Sequence, residues 1–293
     1  MSNLLKRRWP TAAVALAALG GAAAAAGARR ARRFEAEIDG HVDALRAAAA
    51  AGSTDADADP STLPAPVERY LGTVLGDGPT AGRARLVRLR QRGEFRLGGP
   101  DAPWRPLRAT QHVAVDPPGF VWDATIDVFP LLPARVVDLY ANGEGILRAK
   151  LRSAVTVADA GPSPEMNEGE LTRYLAEAVW YPDALLDRAV EWEAIDDRSA
   201  RATLEHRGVT ASLVFHVDDR GLVTRVTADR YRQEDDAYAP WTGRFRDYAE
   251  RDGLLVPLEA DVEWNLPEGD LPYWRARVTS IERLTDGDVG GRG

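Results

Sequence analysis

The chain has 293 residues, with 37 basic side chains against 45 acidic ones for a formal charge of −8, and no cysteine. Without cysteine there is no disulfide framework, thiol nucleophile, Cys-ligated zinc or iron–sulfur cluster. The charge is also split: residues 1–33 carry Lys6, Arg7, Arg8, Arg29, Arg30, Arg32 and Arg33 and no acid, leaving 30 basic and 45 acidic groups, or −15, on the remainder. So acidic a body lacks the basic face that nucleic-acid binding needs.

Residues 9–28, WPTAAVALAALGGAAAAAGA, hold no charge. As a helix they span about 30 Å, the thickness of a bilayer core. Basic flanks on both sides suit an anchored transmembrane helix, with the membrane as its partner. A signal peptide cleaved near Ala24–Ala25–Ala26 and an Ala-rich soluble helix stay open beside it. The flanking charges are too evenly divided to orient it.

Ile38, Val42 and Leu45 then form a thin helical stripe. Residues 51–67, with three prolines and a polar run, read as a linker. The expected organisation is an anchor or signal segment at 1–33, a stalk and flexible linker at 34–61, one body domain at 62–285 and a disordered tail at 286–293.

Within the body, residues 66–76 predict a short helix with Val67, Tyr70, Leu71 and Val74 on one face. From residue 87 the period changes to two. Val87, Leu89, Gln91, Gly93, Phe95 and Leu97 alternate with Arg88, Arg90, Arg92, Glu94 and Arg96, as in an antiparallel strand with one wet face. Gly93 suggests a bend or bulge there. Further strands are predicted at 107–115, 120–128, 136–140, 146–151 and 154–157. Asn142–Gly143 is a strong hairpin dipeptide, because a type I′ turn needs φ > 0 at both central positions.

One helix interrupts the strands. Leu171, Tyr174, Leu175, Ala178 and Val179 share a face over 167–181, with Asn167 as N-cap, Glu170 completing a capping box, and Pro182 as the stop. Strands resume at 190–195, 201–207, 209–217, 222–231, 242–250, 255–265 and 274–283. A sheet of about a dozen antiparallel strands must curl or close. The expected fold is therefore mainly β (α+β), a large curved antiparallel sheet forming an incomplete barrel around a central helix, with a closed barrel or sandwich as the rival.

The chemistry-bearing residues point to few reactions. His41, His112, His206 and His216 lack metal-site spacing, though His206 and His216 fall in adjacent strands; no metal and no cofactor are expected. No nucleophile elbow, phosphate loop or dinucleotide fingerprint is present. Asp123 with Asp127, and Glu170 with Glu177 around Arg173, are the carboxylate pairs available for acid–base work, against the plainer reading of solvated faces and a helix ion pair. The stronger signal is aromatic. Phe95, Trp104, Phe120, Trp122, Tyr174, Trp180 and Trp264 either pack a core or line a cavity for a hydrophobic small molecule or lipid.

Several stretches together resemble an uncharacterised bacterial domain-of-unknown-function family with an N-terminal hydrophobic segment: PVERYL from Pro66, PPGFVWDA from Pro117, DLYANGEG from Asp138, NEGELTRYLAEAVWYPDAL from Asn167, PWTGRFRDY from Pro240 and VPLEADVEWNLPEG from Val256. The resemblance covers residues 62–284 and supplies no activity or catalytic residue. The layout also resembles the LolA-like lipoprotein-carrier fold, an incomplete β-barrel with a helical lid. LolA is a soluble periplasmic carrier, so a permanent anchor here departs from it. Together these readings imply a single-pass, membrane-tethered envelope protein with an extracytoplasmic body that binds an apolar ligand. An envelope scaffold with an unidentified protein partner, or a hydrolase using Asp123 or the 167–181 helix, are the alternatives.

Overall fold

A computed structural model describes residues 9–52, 62–75, 83–129 and 132–285, and of residues 9–24 the backbone only. The linker expected around 53–61 and the tail at 286–293 lie outside the described residues.

Among the described residues, thirteen strands form one antiparallel sheet: β1 (Leu86–Arg96), β2 (Trp104–Ala114), β3 (Gly119–Phe129), β4 (Leu132–Ala141), β5 (Glu144–Leu151), β6 (Val155–Ala160), β7 (Val190–Asp196), β8 (Ser199–His206), β9 (Val209–Val217), β10 (Val223–Arg232), β11 (Ala237–Arg251), β12 (Leu254–Leu266) and β13 (Gly269–Leu284). The order is 6-5-4-3-2-1-13-12-11-10-9-8-7. Two meanders are thus joined where the first strand pairs with the last, and β6 and β7 are left as unpaired edges. The sheet is not closed. Every expected strand is present, and β11 and β13 each start five residues earlier than their periodicity shows.

Turn chemistry fixes the register. Asn142 and Gly143 have φ of 55° and 88°, so the β4–β5 hairpin takes the primed turn that its dipeptide demands. Gly93 is a close approach: a Cβ there would lie 2.1 Å from the Arg275 carbonyl oxygen. The bulge itself falls earlier, between Arg90 and Gln91.

Alternation gives the sheet two unlike faces. The concave face bears Val87, Leu89, Val113, Phe120, Trp122, Leu213, Phe215 and Val226, all buried in one core. Helix α2 (Ala65–Leu75) joins it through Val67, Tyr70, Leu71 and Val74. Helix α3 (Pro164–Glu177) and two following 3-10 segments, Ala178–Trp180 and Pro182–Leu186, fill the centre. The N-cap of α3 is Ser163, whose Oγ accepts from Met166 N at 3.1 Å. Asn167 instead accepts from Gly145 N at 2.8 Å and ties the helix to β5.

The convex face carries a second, smaller core. Helix α1 runs Trp9–Ala51, and its residues Phe34, Ile38, Val42, Leu45 and Ala49 are buried against Leu86, Ala114, Val121, Val137 and Leu139. The stripe read as a stalk is thus docked, because Phe34 and Ala49 extend it to five apolar contacts in four turns. Among the described residues no helix is long and apolar enough to cross a membrane; the side chains of most of the 9–28 stretch lie outside them.

Candidate functional site

Helix α3 lies across the concave face between β3–β5 on one side and β9–β10 on the other. It is seated by two stripes. One is apolar: Leu171, Tyr174, Leu175 and Ala178. The other is charged: Glu170, Arg173 and Glu177 recur at i, i+3 and i+7. Arg173 donates from Nη1 to Asp138 Oδ2 at 2.5 Å and from Nε to Glu177 Oε1 at 2.9 Å. Its guanidinium lies 4.9 Å from the ring centres of both Phe120 and Trp122. Glu177 Oε2 accepts from Gln111 Nε2 at 2.5 Å, Gln111 Oε1 accepts from Gln91 Nε2 at 3.2 Å, and Gln91 Oε1 accepts from Trp122 Nε1 at 2.9 Å. The ring Arg173–Glu177–Gln111–Gln91–Trp122 closes on itself.

Two carboxyls in this hub are held in unusual states. Burial, and then the neighbouring Asp138 charge, push Glu170 well above the usual carboxylate range. Burial raises Asp138 as well, against the pull of Arg173. Asp138 Oδ1 and Glu170 Oε2 are buried with no hydrogen-bond partner in good geometry. Arg230 approaches from β10, donating to Gly169 O at 2.8 Å, with its guanidinium 5.0 Å from the Trp241 ring centre.

Beyond the hub the concave face turns aromatic. Tyr273 meets Phe95 edge-on at 6.1 Å and stacks on Trp264 at 6.2 Å, and its hydroxyl accepts from Trp241 Nε1 at 2.9 Å. Phe95, Trp264 and Tyr273 are only partly buried. This is apolar surface on the inside of a curled sheet that α3 does not cover completely.

The seven aromatic residues picked from the sequence fall into three groups. Phe120, Trp122, Tyr174 and Trp180 are buried in the core, with Tyr174 donating to Val115 O at 2.9 Å and Trp180 to Pro257 O at 2.8 Å. Phe95 and Trp264 come together through Tyr273. Trp104 lies on the convex face between the guanidinium groups of Arg96 and Arg275, 4.4 and 4.3 Å from its ring. Sequence reasoning missed Tyr273, because a bulge between Val262 and Glu263 breaks the alternation opposite it. It also missed Asp138, although this lone acid sits on the inward parity of an apolar strand.

The remaining candidates separate. Asp123 is on the convex face, held by Arg135 at 2.7 and 2.8 Å, so it does not share a site with Glu170. Asp127 pairs with Arg108 at 3.7 Å. His206 contacts the Tyr140 hydroxyl at 3.0 Å and His216 the Thr227 hydroxyl at 3.0 Å. In register His206 faces Val209 while His216 faces Ser199, so the two stand at opposite ends of the β8–β9 pair. Among the described residues no group of three metal-ligating side chains converges.

Among the described residues, two surface depressions can be compared with the aromatic group. One, of about 430 Å³, lies where α1 meets β5 and β6. The other, of about 620 Å³, includes Leu222, Phe245, Tyr248 and Leu255. Neither is lined by any of the seven aromatic residues.

These features define a mainly-β protein with an open, curled antiparallel sheet and a helix laid across its hollow. The chain belongs to a family of unknown function, DUF6920, whose profile matches residues 61–282. No curated protein matches it in sequence. Among solved structures it is similar to a LolA superfamily protein from Nitrosomonas europaea, at 13% identity and a TM-score of 0.38, covering 76% of this chain and 94% of that one. It is also similar to a beta-barrel-like protein of the DUF1849 family from Brucella abortus, at 10% identity and a TM-score of 0.30, covering 69% and 99%.

Proposed function

We propose that this protein is a membrane-tethered binder of a hydrophobic ligand, such as a lipid chain, held on the concave face of its sheet. The observation that carries the reading is the aromatic group Phe95, Trp264 and Tyr273. It lies on the inward parity of the sheet and is only partly buried. Apolar surface turned inward beside a helix that crosses the hollow suits an acyl chain or another elongated apolar molecule. The charged hub fixes where α3 sits, and so how much of that surface is open. The uncharged stretch 9–28 supplies the tether.

The test is binding of a fluorescent acyl probe to the full chain. Saturable binding that weakens about tenfold or more in Phe95→Ala and Trp264→Ala, with Trp104→Ala unchanged, supports the reading. An absence of saturable binding would leave the aromatics as core alone and favour an envelope scaffold. A reporter-fusion topology test reads the side of the membrane, expected to be extracytoplasmic.

A further inference from the structure

We infer that one end of the sheet is a docking face for an anionic lipid bilayer, with a cationic notch at the root of α1 seating a phosphate headgroup. This rests on the tether reading of residues 9–28 but not on ligand binding. Three independent features meet at that end.

The first is the course of α1. Its C-terminal part lies near the β2–β3 hairpin, where Leu45 approaches Gly119 and Arg85 donates to Gly52 O at 2.5 Å. Its residues 34–37 lie at the opposite end of the strands. Lys150 sits 3.9 Å from the centre of the Phe34 ring, Glu35 faces Arg135 at 3.6 Å, and Glu37 pairs with Arg148. The helix therefore leaves the body at the end marked by the β3–β4 and β5–β6 hairpins. Residue 28, the last of the uncharged stretch, is only about 9 Å further along a helix of ordinary rise. A docked, continuous helix holds the body against the bilayer in a fixed attitude.

The second is apolar exposure. Of the exposed large apolar side chains, Leu97, Phe129, Leu132 and Val155 all lie at this end, on the β1–β2, β3–β4 and β5–β6 hairpins. Four such side chains on adjacent hairpin tips form a rim that water solvates poorly, and the bilayer interface suits it.

The third is charge. The depression of about 430 Å³ at the junction brings together Arg30 and Arg33 from α1 with Lys150 and Ser153 from the sheet. Its one acid, Glu37, pairs with Arg148 and also faces Lys150 at 3.9 Å, which leaves Arg30 and Arg33 as the cations of the notch that Glu37 does not engage. Three cations and a hydroxyl at headgroup depth match a lipid phosphate, and each basic side chain near an anionic leaflet contributes roughly 1 kcal/mol of attraction. The body as a whole, at −15, would be repelled by the same surface, so the attraction is confined to this corner.

The lack of native cysteine makes the test direct. Phe129→Cys and Val155→Cys, with Ile195→Cys and Asp219→Cys at the other end of the sheet, each carry a polarity-sensitive fluorophore on the full chain. The proteins are reconstituted in phosphatidylglycerol-containing vesicles with lipid-borne quenchers. The expected result is a blue shift and several-fold stronger quenching at 129 and 155 than at 195 and 219. In pure phosphatidylcholine vesicles, or with Arg30→Gln, Arg33→Gln and Lys150→Gln combined, the difference should shrink at least twofold. Vesicle flotation reports the tether by itself. Floating protein whose 129 and 155 labels stay in water overturns the docking face and leaves the tether intact. Protein that does not float overturns both. Quenching indifferent to lipid charge overturns the headgroup seat.

Discussion

The two faces of this one sheet use charge in opposite ways. On the convex face, arginines and acids alternate across neighbouring strands in open pairs: Arg275 with Glu94, Arg246 with Asp261, Arg88 with Glu282. Each pair is solvated and has neighbours of the same kind, so no single one decides anything. On the concave face the charges are few and buried, and they close one ring around Arg173. There a charge without its partner is costly, so each member counts. A charged residue thus contributes according to which face its parity assigns it.

The largest contrast comes from the apolar filling of the concave side. Trp180→Ala removes a fully buried indole that donates to Pro257 O and meets Phe245 edge-on at 5.9 Å. It should cost about 3–5 kcal/mol in denaturant unfolding. At the other extreme, Arg246→Ala on the convex face should cost less than about 1 kcal/mol. Similar losses at both sites would erase the distinction between the faces.

Two pH profiles sharpen the comparison between these limits. Glu170 holds its proton more tightly folded than unfolded, so it favours the fold at low pH. That contribution is lost as pH rises through its raised folded value. Glu170→Gln should flatten the alkaline fall in stability. His112 behaves in the reverse way. Burial first, then Arg46 of α1 and Arg88 of β1, lower it to about 4, with Asp123 and Glu282 opposing them. The native state therefore binds fewer protons than the unfolded chain between about 6.5 and 4. Stability is present above that window and falls as pH drops through it. His112→Gln should remove this acid-side slope, whereas a wild-type profile in the variant would show that the α1 interface does not sense pH.

Much of the architecture was legible because period and turn chemistry are local. The alternation in Val87–Leu97, the Asn142–Gly143 turn and the apolar face of α3 each need only a few neighbouring residues to be recognised. What was hidden depends on distant partners. Ile38, Val42 and Leu45 look the same on a free stalk as on a docked helix; only Val121, Val137 and Leu139 on the strands beneath decide which. Asn167 is as good a cap as Ser163 by composition, and it is drawn away by the Gly145 amide. Glu170 looks like a capping-box acid until β4 brings Asp138 against it. The stripe at 34–49, read as part of a stalk, belongs to a helix packed on the body.

The central claim, an apolar ligand on the concave face, is tested most directly by native mass spectrometry of the full chain released from gentle detergent after incubation with a defined acyl lipid. The expected result is a one-to-one adduct that is lost in Phe95→Ala with Trp264→Ala and retained in Trp104→Ala. Unliganded protein alone at every lipid concentration, or adducts indifferent to those substitutions, would contradict it.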